Sequence, residues 1–202
     1  MALKTEARRQ KILEAALCEF EARGYAAARM EDIARAAGVA KGTLYNYFDD
    51  KRALLKGLAE SVVSRLVARF EDPLPEGATL RARLEHVLGP IIDENANGPI
   101  SRTIRVIWSE GLHDPTLTAP FFTEMLLPQL SPEGPLFEAM AKADLPDAFR
   151  RHPQMVLAPF MQAILWQSLL GGARPLNMRA YMDDWFSLVL PEKKEDGKAD
   201  GQ

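Results

Sequence analysis

The strongest constraint on the fold lies in residues 30–55, which read MEDIARAAGVAKGTLYNYFDDKRALL. The stretch opens with apolar residues three and four positions apart, a spacing that places them on one face of a short helix. Gly38 follows them, and a glycine directly after a helix permits the left-handed conformation that turns the chain. The pattern therefore predicts a helix, a tight turn and a second helix. The apolar residues of the first of these helices are Met30, Ile33, Ala34 and Ala37.

The second helix is predicted to run from Lys41 to Phe48, because Leu44 and Phe48 lie four residues apart and share one face. Lysine and hydroxyl groups on its other faces can donate to phosphate, asparagine can pair with a base edge, and glycine allows a close backbone approach. A DNA-binding helix-turn-helix is the resulting hypothesis, although tyrosines at such positions can also be half-buried packing residues. The candidate DNA contacts are Lys41, Gly42, Thr43, Tyr45, Asn46 and Tyr47.

The helix-turn-helix is part of a longer string of characteristic residues in the first quarter of the chain. The string comprises Arg9–Ala16, Phe20, Gly24, Tyr25, Asp32–Ala34, Ala37–Val39, Lys41–Tyr45, Tyr47, Phe48, Lys51, Leu54 and Leu55. It resembles the tetracycline-repressor (TetR) family of bacterial transcription regulators. The resemblance implies a three-helix DNA-binding head, a larger helical effector domain and a homodimer. It also implies operator contacts from Lys41, Thr43, Tyr45, Tyr47 and Lys51.

The chain departs from this pattern just before the first helix of the helix-turn-helix. The family usually has threonine or serine where this chain has Ala28 and Arg29. The hydroxyl that would cap the helix and contact phosphate is then missing, and Arg29 is the candidate for a charged contact in its place. This departure leaves an alternative open, namely a helical small-molecule-binding protein whose head no longer binds DNA.

Charge is unevenly distributed along the chain. Residues 1–56 hold 11 Lys or Arg against 8 Asp or Glu, whereas the remainder holds 14 against 20, within a net charge of −3. A basic head on an acidic protein favours a local contact with DNA phosphates over a general affinity for nucleic acid. The predicted partner is a double-stranded DNA operator.

The hydrophobic periodicity predicts an all-α chain, since no segment alternates as a half-buried strand does. We expect a DNA-binding domain over residues 1–55, an effector-binding and dimerisation domain over 56–190, and a disordered tail over 191–202, which is almost free of apolar residues. The clearest loop is Glu71–Thr79, which contains two prolines and a glycine. Helices are predicted at about Thr5–Arg23, Leu54–Phe70, Leu80–Asn95, Pro99–His113, Ala119–Leu130, Pro153–Leu170 and Asn177–Leu190.

The last two predicted helices carry more apolar residues than one neighbour can cover. The apolar residues of the first extend from Met155 to Leu170, and those of the second include Tyr181, Trp185 and Phe186. Two buried faces are consistent with a four-helix interface between two copies of the chain, as the family resemblance also implies. The alternative is that both stripes close the core of one monomer.

A site for a small apolar or aromatic effector is predicted between the helices of the second domain. Large apolar side chains are the usual lining of a small-molecule cavity, and a few polar groups orient the ligand. Arg105 and His113 are the polar candidates, since either could orient a carboxylate or a hydroxyl. Each residue could equally be ordinary core or surface. The candidate ligand contacts are Arg105, Trp108, His113, Phe122, Met125, Met161 and Trp166.

Catalysis is the competing function, and the sequence gives it little support. Glu110 and His113 have the spacing that places a carboxylate and an imidazole on one helical face, but no second such pair exists. Nucleophile-elbow, phosphate-loop and dinucleotide-binding patterns are also missing from the sequence. We expect no enzyme activity, cofactor, metal or catalytic residue.

The chain is expected to be a soluble cytoplasmic protein without a membrane segment. Its apolar runs are shorter than the roughly 20 residues that span a bilayer, and its first residues lack the apolar core of a secretion signal. The single cysteine, Cys18, is predicted to be a small packing residue on the apolar side of the first helix.

Overall fold

The computed structural model describes residues 2–94, 97–141, 143 and 145–190. Across these residues every regular element is helical, which confirms the all-α prediction. A π-helical turn occupies Phe122–Leu126, and 3₁₀ turns occupy Leu127–Leu130 and Pro153–Val156. The α-helices are α1 (Ala2–Ala27), α2 (Met30–Ala36), α3 (Lys41–Tyr45), α4 (Lys51–Glu71), α5 (Leu80–Asp93), α6 (Pro99–His113), α7 (Pro115–Phe121), α8 (Pro135–Ala141), α9 (Asp147–Arg151), α10 (Ala158–Leu170) and α11 (Met178–Val189).

The turn between α2 and α3 has the geometry that the sequence predicts. Gly38 adopts a φ of 65°, and its N–H donates to the carbonyl of Arg35 at 3.1 Å. The N–H of Val39 donates to the carbonyl of Ala34 at 3.0 Å. These two bonds form a Schellman motif, which closes α2 and directs the chain into α3.

Glycine and aspartate set the other boundaries of the head. Gly24, at φ 76° and ψ 157°, breaks α1 at the predicted position, although helical structure resumes as far as Ala27. Regular helix α3 ends at Tyr45 and not at Phe48 as predicted, but the N–H of Phe48 still donates to Leu44 at 3.0 Å. Asp50 then caps α4 by accepting from the N–H of Ala53 at 2.8 Å.

The described residues form two clusters of buried apolar side chains. The first holds the head together and contains Leu44, Phe48 and Leu58. It also contains Val106 and Ile107 from α6, so the head core extends into the second domain. Helix α4 continues across the predicted boundary at residue 55 without interruption. The second cluster fills the space between α4, α5, α6, α8, α10 and α11.

Proline changes several of the helices predicted for the second domain. The segment Ala119–Leu130, predicted as one helix, is the end of α7 followed by π-helical and 3₁₀ turns. Pro120 lies inside α7 and lacks an N–H, so the ordinary helical ladder is interrupted there. The segment predicted as Pro153–Leu170 begins with a 3₁₀ turn, and α10 starts at Ala158.

The remaining boundaries lie close to the predictions. Thr79 and Asn177 cap α5 and α11 through their side-chain oxygens, each accepting from a backbone N–H in the first turn. Helix α5 ends at Asp93, and the predicted end at Asn95 lies outside the described residues. The predicted disordered tail at 191–202 also lies outside them. None of the helices in the described ranges is long and apolar enough to cross a membrane.

Candidate functional site

The helix-turn-helix presents a polar surface around α3. Leu44 is fully buried and Phe48 is 5% exposed, so these two residues anchor the helix to the head as predicted. The side chains between and around them face outward to different degrees. A Cβ added to Gly42 would meet no neighbouring atom within 4 Å, so the surface beside it is open. The exposed candidates are Lys41, Gly42, Tyr45 and Asn46, whereas Thr43 and Tyr47 are half-buried.

Lys41 is held at this surface by an acidic neighbour from α2. Its Nζ lies 2.5 Å from Oε1 of Glu31 and 5.8 Å from the centre of the Tyr45 ring. The hydrogen bond between the two side chains raises the pKa of Lys41 and lowers the pKa of Glu31. The ammonium group is therefore firmly charged, and a DNA phosphate would compete with Glu31 for it.

Lys51 has a structural role that the sequence did not indicate. Its Nζ donates to the carbonyl oxygens of Tyr25 at 2.7 Å and Ala26 at 2.9 Å. It also lies 4.9 Å from the centre of the Tyr25 ring. Because an ammonium has three donors, one remains for a phosphate. Lys51 thus connects the end of α1 to the start of α4.

Arg29 occupies the cap position of α2 without acting as a side-chain cap. Its backbone is extended, its side chain is exposed, and it makes no capping hydrogen bond. Ala28, the other departure from the family pattern, is 3% exposed and packs in the head core. The hydroxyl cap is therefore missing as the sequence indicates, and Arg29 stays available as a charged surface residue.

The second domain encloses an apolar cavity of about 230 Å³. Its lining comes from α4 to α8, α10, the π-helical turn and the 3₁₀ turn before α10. These elements are distant from one another in the sequence. Among the lining residues that the structure describes, Gln154, in the 3₁₀ turn before α10, is the only one with a polar side chain apart from the indole of Trp108. Helix α4 contributes Val62, Val63, Leu66, Val67 and Phe70.

The structure brings together only part of the predicted ligand set. Trp108, Phe122 and Met161 line the cavity. The side chain of Met125 lies outside the described residues. The other three predicted contacts, Arg105, His113 and Trp166, are absent from the cavity lining.

Those three residues have other surroundings. Arg105 turns toward the head, where its Nη2 lies 3.4 Å from Oε1 of Glu21. His113 is exposed at the end of α6. The indole of Trp166 donates to the carbonyl of Arg174 at 2.9 Å. Spacing along a helix could not distinguish these orientations, because the neighbouring helices decide which side is covered.

Contacts between the head and the second domain were missed at the sequence level. Arg102 of α6 places Nη1 2.9 Å from Glu14 and Nη2 2.6 Å from Glu21, both on α1. Arg52 of α4 donates to the carbonyl of Thr116 at 2.6 Å, at the start of α7. The partners are more than 60 residues apart in sequence, so no local pattern pointed to them.

One further prediction is corrected at this contact. Cys18 is exposed, and its Sγ lies 3.3 Å from Nη2 of Arg102, so it is not a packing residue in the core. It sits at the border of the apolar face of α1, beside the ionic contacts. Glu110, considered with His113 as a possible metal pair, instead accepts from the N–H of Tyr25 at 3.4 Å.

Comparison with known proteins bears directly on the head. The family model described as "Bacterial regulatory proteins, tetR family" matches residues 12–58. The HTH-type transcriptional regulator BetI of Paraburkholderia phymatum is 26% identical over 194 residues, covering 93% of this chain and 95% of the relative. The relative named BetI in Pseudomonas aeruginosa is 34% identical over 118 residues, covering 54% of this chain and 57% of the relative.

Solved structures share the fold along most of the chain. FadR from Bacillus subtilis, determined in complex with stearoyl-CoA, has a TM-score of 0.67 at 22% identity and covers 91% of this chain and 98% of its own. FadR from Thermus thermophilus, in complex with lauroyl-CoA, has a TM-score of 0.58 at 20% identity, with coverage of 96% and 100%. The head geometry, the family model and the regulators that match the chain almost from end to end agree. Residues 12–58 of this protein are a DNA-binding head of the TetR type, and the chain is similar to TetR-type transcriptional regulators along most of its length.

Proposed function

We propose that this protein is a repressor that binds a near-palindromic operator as a homodimer and responds to an apolar effector. Two α3 helices related by a two-fold axis would read successive major grooves about 34–36 Å apart. An effector that binds one head arrangement more tightly would change the affinity for DNA, and DNA would change the affinity for the effector by the same factor.

The homodimer is supported by apolar side chains that the monomer leaves exposed on its last two helices. The opposite face of these helices packs in the core, where Phe160, Ile164 and Phe186 are almost fully buried. Leu169 is 72% exposed and Leu188 is 82% exposed. Exposed leucines on adjacent helices are typical of a surface that another subunit covers.

The effector response is supported by helices that belong both to the head and to the cavity wall. Helix α4 contributes Leu54 and Leu58 to the head core and five residues to the cavity lining. In α6, Ile107 is part of the head core and also lines the cavity. A ligand that displaces either helix therefore acts on the head directly. The two FadR structures hold acyl-CoA ligands, which is consistent with an apolar effector here.

The shared position of Ile107 is the observation that carries the proposal, and DNA binding is its first test. Fluorescence anisotropy would compare DNA from upstream of the protein's own gene with a scrambled duplex at several salt concentrations. We expect selective binding whose affinity falls with salt, because Lys and Arg displace counterions from phosphate. If neither this DNA nor a selection from random DNA gave a selective site, the proposal of a repressor would be abandoned.

The dimer has a separate test. Analytical ultracentrifugation should show two chains per particle, and the substitution Leu188→Lys should shift the protein toward monomer because it places a charge on the apolar surface. The control is Glu133→Lys, which changes an exposed polar position outside α10 and α11. A monomer at micromolar concentrations would contradict the homodimer.

A further inference from the structure

The cavity of about 230 Å³ is lined almost entirely by apolar side chains. Of its described lining residues, ten are aliphatic, one is methionine and five are aromatic, and none is charged. Burying a charge or an unpaired polar group in such a wall is costly. The part of a ligand that enters the cavity must therefore be hydrocarbon.

The polar end of the cavity lies at Gln154. Gln154 is the one exposed residue in the described part of the lining, so it lies where the cavity meets solvent. Its amide offers donors and an acceptor. A ligand that fills the apolar wall and satisfies this amide has a hydrocarbon body and one polar group at its end.

The chain beside Gln154 is basic. Arg150, Arg151 and His152 are exposed and lie two to four residues before it, with Asp147 as the acidic residue of the same short helix. Arg150 lies 3.1 Å from Asp147 through Nη1 and Oδ1, which leaves Arg151 as the charge that this local ion pair does not balance. The net positive charge of this short segment attracts anions and repels cations.

Resting on the proposed function, we propose that the effector is an anionic amphiphile, with its hydrocarbon chain inside the cavity and its acidic head group at Gln154 and Arg151. The chemistry favours one chain with a single polar end over a molecule that is polar at both ends, because the indole N–H of Trp108 is the one other hydrogen-bonding side-chain group besides Gln154 among the described lining residues. The cavity is small compared with pockets for drug-sized ligands, which favours a chain of medium length.

Isothermal titration calorimetry on the full chain, below the micellar concentration of each probe, tests this assignment. The probes are decanoate, decanol and decyltrimethylammonium, which share a hydrocarbon chain and differ in head-group charge. We expect decanoate to bind more tightly than decanol, and the cation to bind at least about tenfold more weakly than decanoate. Equal or tighter binding of the cation, or no binding of decanoate, would overturn the proposal.

Two substitutions localise the head group. Gln154→Leu should weaken decanoate and decanol by about fivefold, the loss expected for one hydrogen bond. Arg151→Gln should weaken decanoate alone, by about threefold at low salt. The control Arg174→Gln removes an exposed arginine after the far end of α10 and should leave both probes unchanged. If neither of the first two variants altered decanoate binding, the head group would not lie at this end of the cavity.

The result of the ligand-binding experiment can be interpreted independently of the DNA-binding experiment. Binding of decanoate without any effect on operator affinity would retain the ligand assignment and reject the effector role. Selective operator binding without any decanoate binding would retain the repressor and reject the anionic amphiphile.

Discussion

The head of this regulator is more closely packed than its second domain. In the head, α1, α4 and the segment after α3 approach so closely that a Cβ on Gly57 would lie 2.8 Å from Phe48 and 3.1 Å from Leu13. In the second domain, the helices leave a cavity of about 230 Å³ and several turns depart from α-helical geometry. A rigid head can position α3 on DNA, whereas an open second domain can admit a ligand.

The largest expected effect comes from filling the closest contact in the head. Gly57→Val should destabilise the protein by about 2–3 kcal/mol, because the branched side chain overlaps a buried ring. Urea unfolding measures the change. Gly42→Ala is the matched control in the same domain, since a Cβ there meets nothing within 4 Å. An unchanged midpoint for the valine variant would mean that the head is less closely packed than the structure indicates.

The same kind of enlargement should be tolerated in the second domain. Val67→Phe places a larger side chain on the cavity wall, so we expect a change of no more than about 1 kcal/mol in the free energy of unfolding. Decanoate binding should fall at least about tenfold as its space is occupied. A variant that unfolds like Gly57→Val would remove the contrast between the two regions.

Lys41 tests whether the polar surface of the head contacts phosphate. Lys41→Ala should weaken binding to all DNA sequences by about tenfold at low salt and reduce the slope of log affinity against log salt by about one. Asn46→Ala is the companion variant, because loss of a base contact should change sequence preference and leave the salt slope intact. If the Lys41 variant kept the full salt slope, the assignment of its ammonium to phosphate would be wrong.

Arg102 tests how firmly the two regions are joined. Arg102→Gln removes the ion pairs to Glu14 and Glu21 and should cost about 1 kcal/mol of stability, after allowance for solvent screening. The loss should shrink at high salt. Arg35→Gln, which breaks an ion pair of a 77%-exposed side chain within α2, should cost clearly less. Equal losses for the two variants would show that the contact between α1 and α6 stabilises the protein no more than an exposed ion pair does.

The smallest expected effect concerns Glu31, which competes with DNA for Lys41. Glu31→Gln should raise DNA affinity by about threefold, because it frees the ammonium and removes a negative charge near the phosphates. Anisotropy titrations in parallel with the parent protein measure this change. Glu85→Gln removes one charge on α5, outside the head, and serves as the control. A decrease in affinity for the Glu31 variant would place Glu31 among the groups that support recognition.

The helix-turn-helix of the head could be predicted from the sequence because the residues that shape it are close together in the chain. Gly38 and Val39 form the predicted turn, Leu44 and Phe48 are buried at the predicted spacing, and Asp50 provides the cap of α4. The second domain was less readable where proline interrupts helices, since Pro120 lies within α7 and a π-helical turn follows. The helical character of this region could be predicted, but the lengths of its elements could not.

The candidate ligand site shows the same limit at the level of single residues. Apolar composition indicated Trp108, Phe122 and Met161, which do line the cavity. It missed Gln154 because an exposed glutamine beside a proline has no distinguishing pattern in sequence. The sequence also predicts a ligand contact from Arg105, whereas in the fold this side chain lies beside Glu21 on α1.

The sequence by itself determined the all-helical class, the helix-turn-helix and the polar character of its surface, because spacing, caps and left-handed glycines act over a few residues. Only the tertiary structure decided that α4 and α6 serve both the head and the cavity, that Arg102 meets two glutamates of α1, and that Lys51 binds carbonyls of Tyr25 and Ala26. These contacts join residues distant in sequence, and their geometry depends on how whole helices pack.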